Sequence, residues 1–162
     1  MVRLKTRYVL FQLAFPDSLN DCINEPGNQR VFLSTLSGIS AGQLVGLLRL
    51  SIQKNFGDQG SALVQTTFSV KYFSQKTGVG IIRCHREAVD LVMAAMFFIT
   101  SIDGRECIMS GIGISGSIKK AEVRAVNRAR ALIKMVKAKG LQIDIQELQE
   151  VSMETFNEVN LE

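Results

Sequence analysis

The sequence predicts an α+β domain of the split βαβ, ferredoxin-like type, with an antiparallel sheet, helices packed on it and an extra basic helix at the end. Three observations predict it. Apolar periodicity switches between two and about 3.6 residues in the order strand, helix, strand, strand, helix, strand, helix. Turn residues separate nearly every segment. The 162 residues, 46% hydrophobic and 21% charged, are enough to bury one sizeable core and too apolar for wholesale disorder.

Residues 3–15 alternate as a strand. Arg3, Lys5 and Arg7 share a face that continues into Val9, Phe11, Leu13 and Phe15, while Leu4, Tyr8 and Leu10 lie on the other. The later half is apolar on both sides, which predicts an interior strand with a basic beginning projecting from the sheet. Residues 16–39 mix Pro, Gly, Asn, Asp and Ser and read as a loop insertion, with room for one helical turn around Arg30–Leu36. Ser40 and Gln43 form a capping box, after which Leu44, Leu47, Leu48 and Ile52 mark a helix that Gly57 is expected to end. A turn at Asp58–Gly60 and a strand over Leu63–Ser74 follow, then a Gln75–Gly78 turn and a return strand, Val79–His85. Arg86–Ser101 predicts an apolar helix, Asp103–Gly104 a turn, Glu106–Ser117 a strand and Ile118–Lys139 a long helix that Gly140 stops.

The charge is divided. All 19 Lys and Arg precede Gly140, beside nine acids, so residues 1–139 carry +10. Residues 140–162 carry −6 from Asp144, Glu147, Glu150, Glu154, Glu158 and Glu162. A body at +10 suits a nucleic-acid partner or serves solubility alone, and the division sets one domain, 1–139, apart from an acidic tail, 140–162. The tail reads either as a solvating end or as a short amphipathic piece, through Ile145, Leu148 and Val151, that folds onto a basic neighbour.

No secretory signal is expected, because Arg3, Lys5 and Arg7 run straight into an extended pattern. The apolar run Leu91–Ile102 is too short to cross a bilayer, so no membrane role is expected. Cys22, Cys84 and Cys107 lack paired spacing and predict a reducing compartment, not a disulfide framework.

Candidates for chemistry are few. Gly111-Ile-Gly-Ile-Ser-Gly116 matches the dinucleotide fingerprint literally, but Lys134, Lys137 and Lys139 occupy the region where the ribose-binding acid is required. The same glycines suit a strand lying close under a helix. Cys84 and His85, adjacent on a strand, point to opposite faces and make a poor dyad, and one His with no C-x-x-C does not complete a zinc site. No pair of carboxylates is framed for acid–base work, so neither a catalytic residue nor a protein-bound metal or cofactor is expected.

The positive charge is the sharper signal. In the last helix Ala125, Val126, Ala129, Leu132, Ile133 and Val136 share a face, and Lys120, Arg124, Arg128, Arg130 and Lys134 spread over the opposite arc, with Lys119, Lys137 and Lys139 on its borders. A merely solvated helix mixes signs in i,i+4 pairs, whereas this one offers Glu122 alone. Its guanidiniums suit phosphate. A second basic group, Lys71, Lys76, Arg83 and Arg86, is expected around the hairpin, where Gly78 and Gly80 either admit a phosphate to the backbone or serve as ordinary turn glycines. The return strand Gly80-Ile-Ile-Arg83 lacks stacking aromatics, which favours contact with RNA backbone and shape over base readout. The candidate RNA contacts are thus Arg3, Lys5, Arg7, Lys71, Lys76, Arg83, Arg86, Lys119, Lys120, Arg124, Arg128 and Arg130.

Three stretches carry a family resemblance. Met1-Val-Arg-Leu-Lys-Thr-Arg-Tyr8, then Lys71-Tyr-Phe-Ser74 with Thr77-Gly-Val-Gly-Ile-Ile-Arg-Cys-His-Arg-Glu87, and Gly116-Ser-Ile-Lys-Lys120 resemble the Pop-five family, small protein subunits of ribonuclease P and RNase MRP. Gly57-Asp-Gln-Gly60 adds a weaker match, and Ser117 stands where Thr is commoner. The resemblance implies a holoenzyme in which RNA and Mg²⁺ perform phosphodiester hydrolysis and this chain supports them without catalysing. It implies ribonuclease P RNA and RNase MRP RNA as partners, with a barrel-type subunit, a large scaffold subunit, and precursor tRNA as the substrate of the complex. Ribosomal RNA processing and a nuclear, nucleolar location follow by the same inference. The alternative reading is a protein-interaction module that reaches RNA only through partners, using Leu91–Ile102 and Phe68–Phe73 as an exposed face.

Overall fold

The structure, a computed structural model, describes residues 5–15, 38–75 and 77–138. The expectations for Arg3, Lys76, nearly all of the 16–39 segment and the tail lie outside the described residues.

Strand β1, Thr6–Ala14, occupies the centre of the sheet because its side chains are apolar on both faces, and Val9, Leu10 and Phe11 are wholly buried. The other main-sheet strands are β2, Ser69–Phe73, β3, Val79–His85, and β6, Ile108–Ser115. Their order is β2-β3-β1-β6, antiparallel throughout. This is the ferredoxin-like arrangement, as the alternation of elements predicts.

Helix α1, Ala41–Gln65, starts at the expected capping box, in which the Gln43 amide donates to Ser40 Oγ (3.2 Å) and the Ser40 amide to Gln43 Oε1 (2.8 Å). Gly57 does not end it. With φ 62° and ψ −157° it kinks the chain, and helix resumes to Gln65, so the Asp58–Gly60 turn and a strand from Leu63 are both corrected. The resumption is driven by packing. Gly60 and Val64 are buried, and a Cβ on Gly60 would stand 2.6 Å from Phe56 Cβ and 3.2 Å from Leu91 Cδ1.

The apolar helix is also shorter than predicted. Arg86–Ala88 form a 3-10 turn capped by His85, whose Nδ1 accepts from the Glu87 amide (3.4 Å), and α2 spans Val89–Phe97. Ser101–Ile102 (β4) and Arg105–Glu106 (β5) pair as a small hairpin, and the main strand begins at Ile108. Asp103 and Gly104 both have positive φ (51° and 79°), as a two-residue type I′ hairpin turn requires. Helix α3, Ile118–Ala138, completes the described chain.

The two sheet faces differ. One carries Val9, Phe11, Leu13, Ile82, Cys84 and Met109 and is covered by α1 and α2, with Leu44, Leu48, Ile52, Val92 and Met96 filling the layer between. Ser51 Oγ donates to the Ala95 carbonyl (2.9 Å) and ties the two helices together. The opposite face carries Leu10 and Ile81 and is covered in part by α3 through Ala121 and Ala125. The glycines of β6 admit these helices: a Cβ on Gly111 would collide with Met93 of α2, and one on Gly113 with Arg124 of α3. The literal dinucleotide fingerprint is thus a strand between two close-packed layers.

Candidate nucleic-acid interface

Two basic regions form on different parts of the fold. The first lies at the sheet end where β1 begins. The Arg86 amide donates to the Lys5 carbonyl (2.8 Å), and Arg7 is register partner to Cys84. Lys5 and Arg86 are exposed, and Arg7 is half-buried with Nη1 donating to the Thr6 carbonyl (2.9 Å). Arg83 pairs with Tyr8 and so faces the α3 side of the sheet, where its Nε is buried without a hydrogen-bond partner among the described residues.

This corrects the hairpin group. Arg83 and Arg86 join Lys5 and Arg7, whereas the turn after β2 sits roughly 20 Å away, at the other end of strands rising about 3.3 Å per residue. Lys71 is exposed on β2, between the two. The glycines of that turn serve the fold. The Gly78 amide donates to the Ser74 carbonyl (2.9 Å) and its carbonyl accepts from the Leu13 amide (2.7 Å). Gly80 is buried beneath the Phe11 ring, so neither amide is presented to a phosphate.

The second region is α3. Lys119, Lys120, Arg124, Arg128 and Arg130 are all exposed. Lys119, Lys120 and Arg124, with Val123 and Asn127, line a shallow depression. Arg124 lies over Gly113 and donates from Nη1 to the Ile114 carbonyl (3.1 Å). Arg128 Nη2 donates to Gln12 Oε1 (2.8 Å). Each guanidinium is held at one corner and keeps further N–H groups for another acceptor. Sequence reasoning misses Gln12, whose role depends on the crossing of α3 over β1. It also misses Ala121, although Ala121 is one turn before Ala125 and extends the same stripe.

The remaining chemistry is muted. Burial pushes the Cys84 thiol up to about 11 and raises that of Cys107, so both favour the protonated form, which is unreactive as a nucleophile. Among the described residues no group of three or more His, Cys, Asp and Glu is placed to hold a metal ion, and no helix is long and apolar enough to cross a membrane.

Residues 7–126 match the Rpp14/Pop5 family. This chain belongs to that family. It is 37% identical to the ribonuclease P/MRP protein subunit POP5 of Saccharomyces cerevisiae, over 85% of this chain and 82% of the relative. The Schizosaccharomyces pombe protein of the same name is 36% identical over 82% and 91%, and the human one 28% over 82% and 76%. A chain in a cryo-EM structure of yeast ribonuclease MRP is 12% identical, with a TM-score of 0.48 over 85% of this chain and 98% of that one.

Proposed function

We propose that this Rpp14/Pop5 family member is a non-catalytic, RNA-binding subunit of ribonuclease P and RNase MRP. It supports a catalytic RNA that, with its own Mg²⁺, removes precursor-tRNA 5′ leaders and processes ribosomal RNA. The observation that carries this reading is the pair Arg124 and Arg128, both exposed and each fixed at one corner by the fold. A guanidinium already aimed loses less freedom when it meets a phosphate oxygen. Lys119, Lys120 and Arg130 extend this positive surface, and Lys5, Arg7, Lys71, Arg83 and Arg86 supply further contacts. Arg3 and Lys76 belong to the same proposal through sequence position alone. Residues 1–139 act as the RNA-binding domain and 140–162 as an acidic tail. The partners are a barrel-type subunit and a large scaffold subunit, in the nucleus and nucleolus.

The test is the double substitution Arg124→Gln, Arg128→Gln, with ribonuclease P RNA titrated at several salt concentrations. Loss of two phosphate contacts lowers the slope of log K against log salt by about 1.4–1.8 and weakens binding roughly 25- to 60-fold at 0.1 M salt. An unchanged slope and affinity, in a variant that melts like the parent, would remove α3 from the interface.

A further inference from the structure

The main sheet has two edges, and they are treated differently. At one edge, β2 is five residues long, and its bulge between Val70 and Tyr72 sets the charged Lys71 outside the register. Shortness, a bulge and a lysine are the usual devices that stop an edge from pairing with another chain. At the other edge, β6 is eight residues long, with the sequence Ile-Met-Ser-Gly-Ile-Gly-Ile-Ser, and carries no charge and no proline. Among the described residues it pairs with β1 alone. Its own bulge sets aside Ile112, which packs against the Leu10 cluster, so no charge guards this edge from within the strand. Ile108 is 55% exposed and Ile114 43% exposed. Near Ile114 the edge is braced by the Arg124 guanidinium, which leaves Ile108–Gly111 as the open stretch.

The surroundings select what can fill it. On one face, Met93 of α2 covers Gly111, and Phe97, one turn along the same stripe, is 80% exposed. On the other, Arg124 of α3 reaches β6 at the Ile114 carbonyl, and Arg128 reaches Gln12, the register partner of Ser110. A strand added here would present alternate residues to an apolar shelf and to a row of cations. A second copy fits poorly. Two β6 strands paired antiparallel about a twofold would bring both sets of α3 cations onto one side of the joined sheet, where like charges repel.

We propose that β6 is a docking edge for an extended segment of another protein, in which apolar residues alternate with acidic ones. The segment continues the sheet past Ile108–Gly111 by main-chain hydrogen bonding. Its apolar side chains lie against Met93 and Phe97, and its carboxylates face Arg128, whose bond to Gln12 sets it level with Ser110. The inference stands on the edge itself and not on the RNA reading.

The test keeps the full chain in the particle purified from cells. A photo-crosslinking phenylalanine derivative at position 108 is expected to mark an extended, alternating apolar and acidic segment of a different protein. Amides of residues 108–111 should exchange about 100-fold more slowly in the particle than in the free chain. The guarded variant Ile108→Glu, Ser110→Glu sets like charge against the segment's carboxylates at two exposed positions, and it should lose that protein while the purified chain melts like the parent and still binds ribonuclease P RNA. Crosslinks to RNA, to a second copy or to other parts of this chain would overturn the proposal. So would unchanged exchange, or retention of the partner by the guarded variant.

Discussion

Replacing Gly80 by alanine tests how closely the sheet and its core are fitted. An ideal Cβ at this position stands 2.5 Å from Phe11 Cε1 and Cζ and 2.9 Å from the Tyr72 carbonyl oxygen. Carbon atoms in contact prefer about 3.5–4.0 Å, so the overlap is roughly 1 Å. Neither neighbour yields easily. Phe11 is wholly buried and lies parallel to Phe73, with ring centroids 6.1 Å apart and planes at 5°, and the oxygen belongs to the backbone of β2. Overpacking against immobile atoms falls at the upper end of its usual range, about 2–3 kcal/mol. Urea unfolding should show a lower midpoint with an unchanged slope. Phe11→Leu relieves the collision at the cost of a cavity, about 1–2 kcal/mol alone. In the double variant the two losses should fall short of additivity by about 1 kcal/mol or more. A loss below about 0.5 kcal/mol for Gly80→Ala, or additive losses in the cycle, would refute the close-packing account.

Two further predictions concern the backbone and the buried thiol. Gly57→Ala meets no atom within 4 Å of the new Cβ, yet it should destabilise by about 1–3 kcal/mol, because φ 62° with ψ −157° is a conformation that side chains disfavour; a neutral result in thermal unfolding would mean that the kink relaxes freely. Cys84 rises from its ordinary value of 9.0 to about 11 in the fold, so its contribution is complete below pH 9 and is lost as pH climbs towards 11. Against Cys84→Ala at each pH, the parent should lose on the order of 2 kcal/mol over that window, and parallel curves would show the thiol to be solvated.

Much of this was legible in the residues themselves. The two-sided apolar pattern of Val9–Phe11 predicts a central strand, and β1 is flanked by β3 and β6 with both faces covered. The capping box at Ser40 is a local hydrogen-bond pattern, and local patterns survive folding. Gly57 misleads because a left-handed glycine normally ends a helix. Whether helix resumes depends on Gly60 fitting against Phe56 and Leu91, a fact about another element. The basic candidates show the same division. The exposed cationic arc of α3 follows from helical spacing, whereas Arg83 and Arg86, grouped by sequence with the hairpin turn, lie at the end of β3 away from it. A strand carries residues six apart to opposite ends of a sheet, so the group divides. Gly80 likewise reads as a turn glycine until the register sets Phe11 opposite it.

The central place of β1 has a consequence for synthesis. Of the described strands, β1 is made before the others, yet its pairing is completed only when β6 has been made. Its β3 partner follows about seventy residues later and its β6 partner just over a hundred later, as the register Leu10 to Ile81 and Gly113 shows. At a typical elongation rate of about 5–20 residues per second, an apolar segment with two open edges waits several seconds for its neighbours. The most secure strand of the finished molecule is therefore the most vulnerable one of the nascent chain.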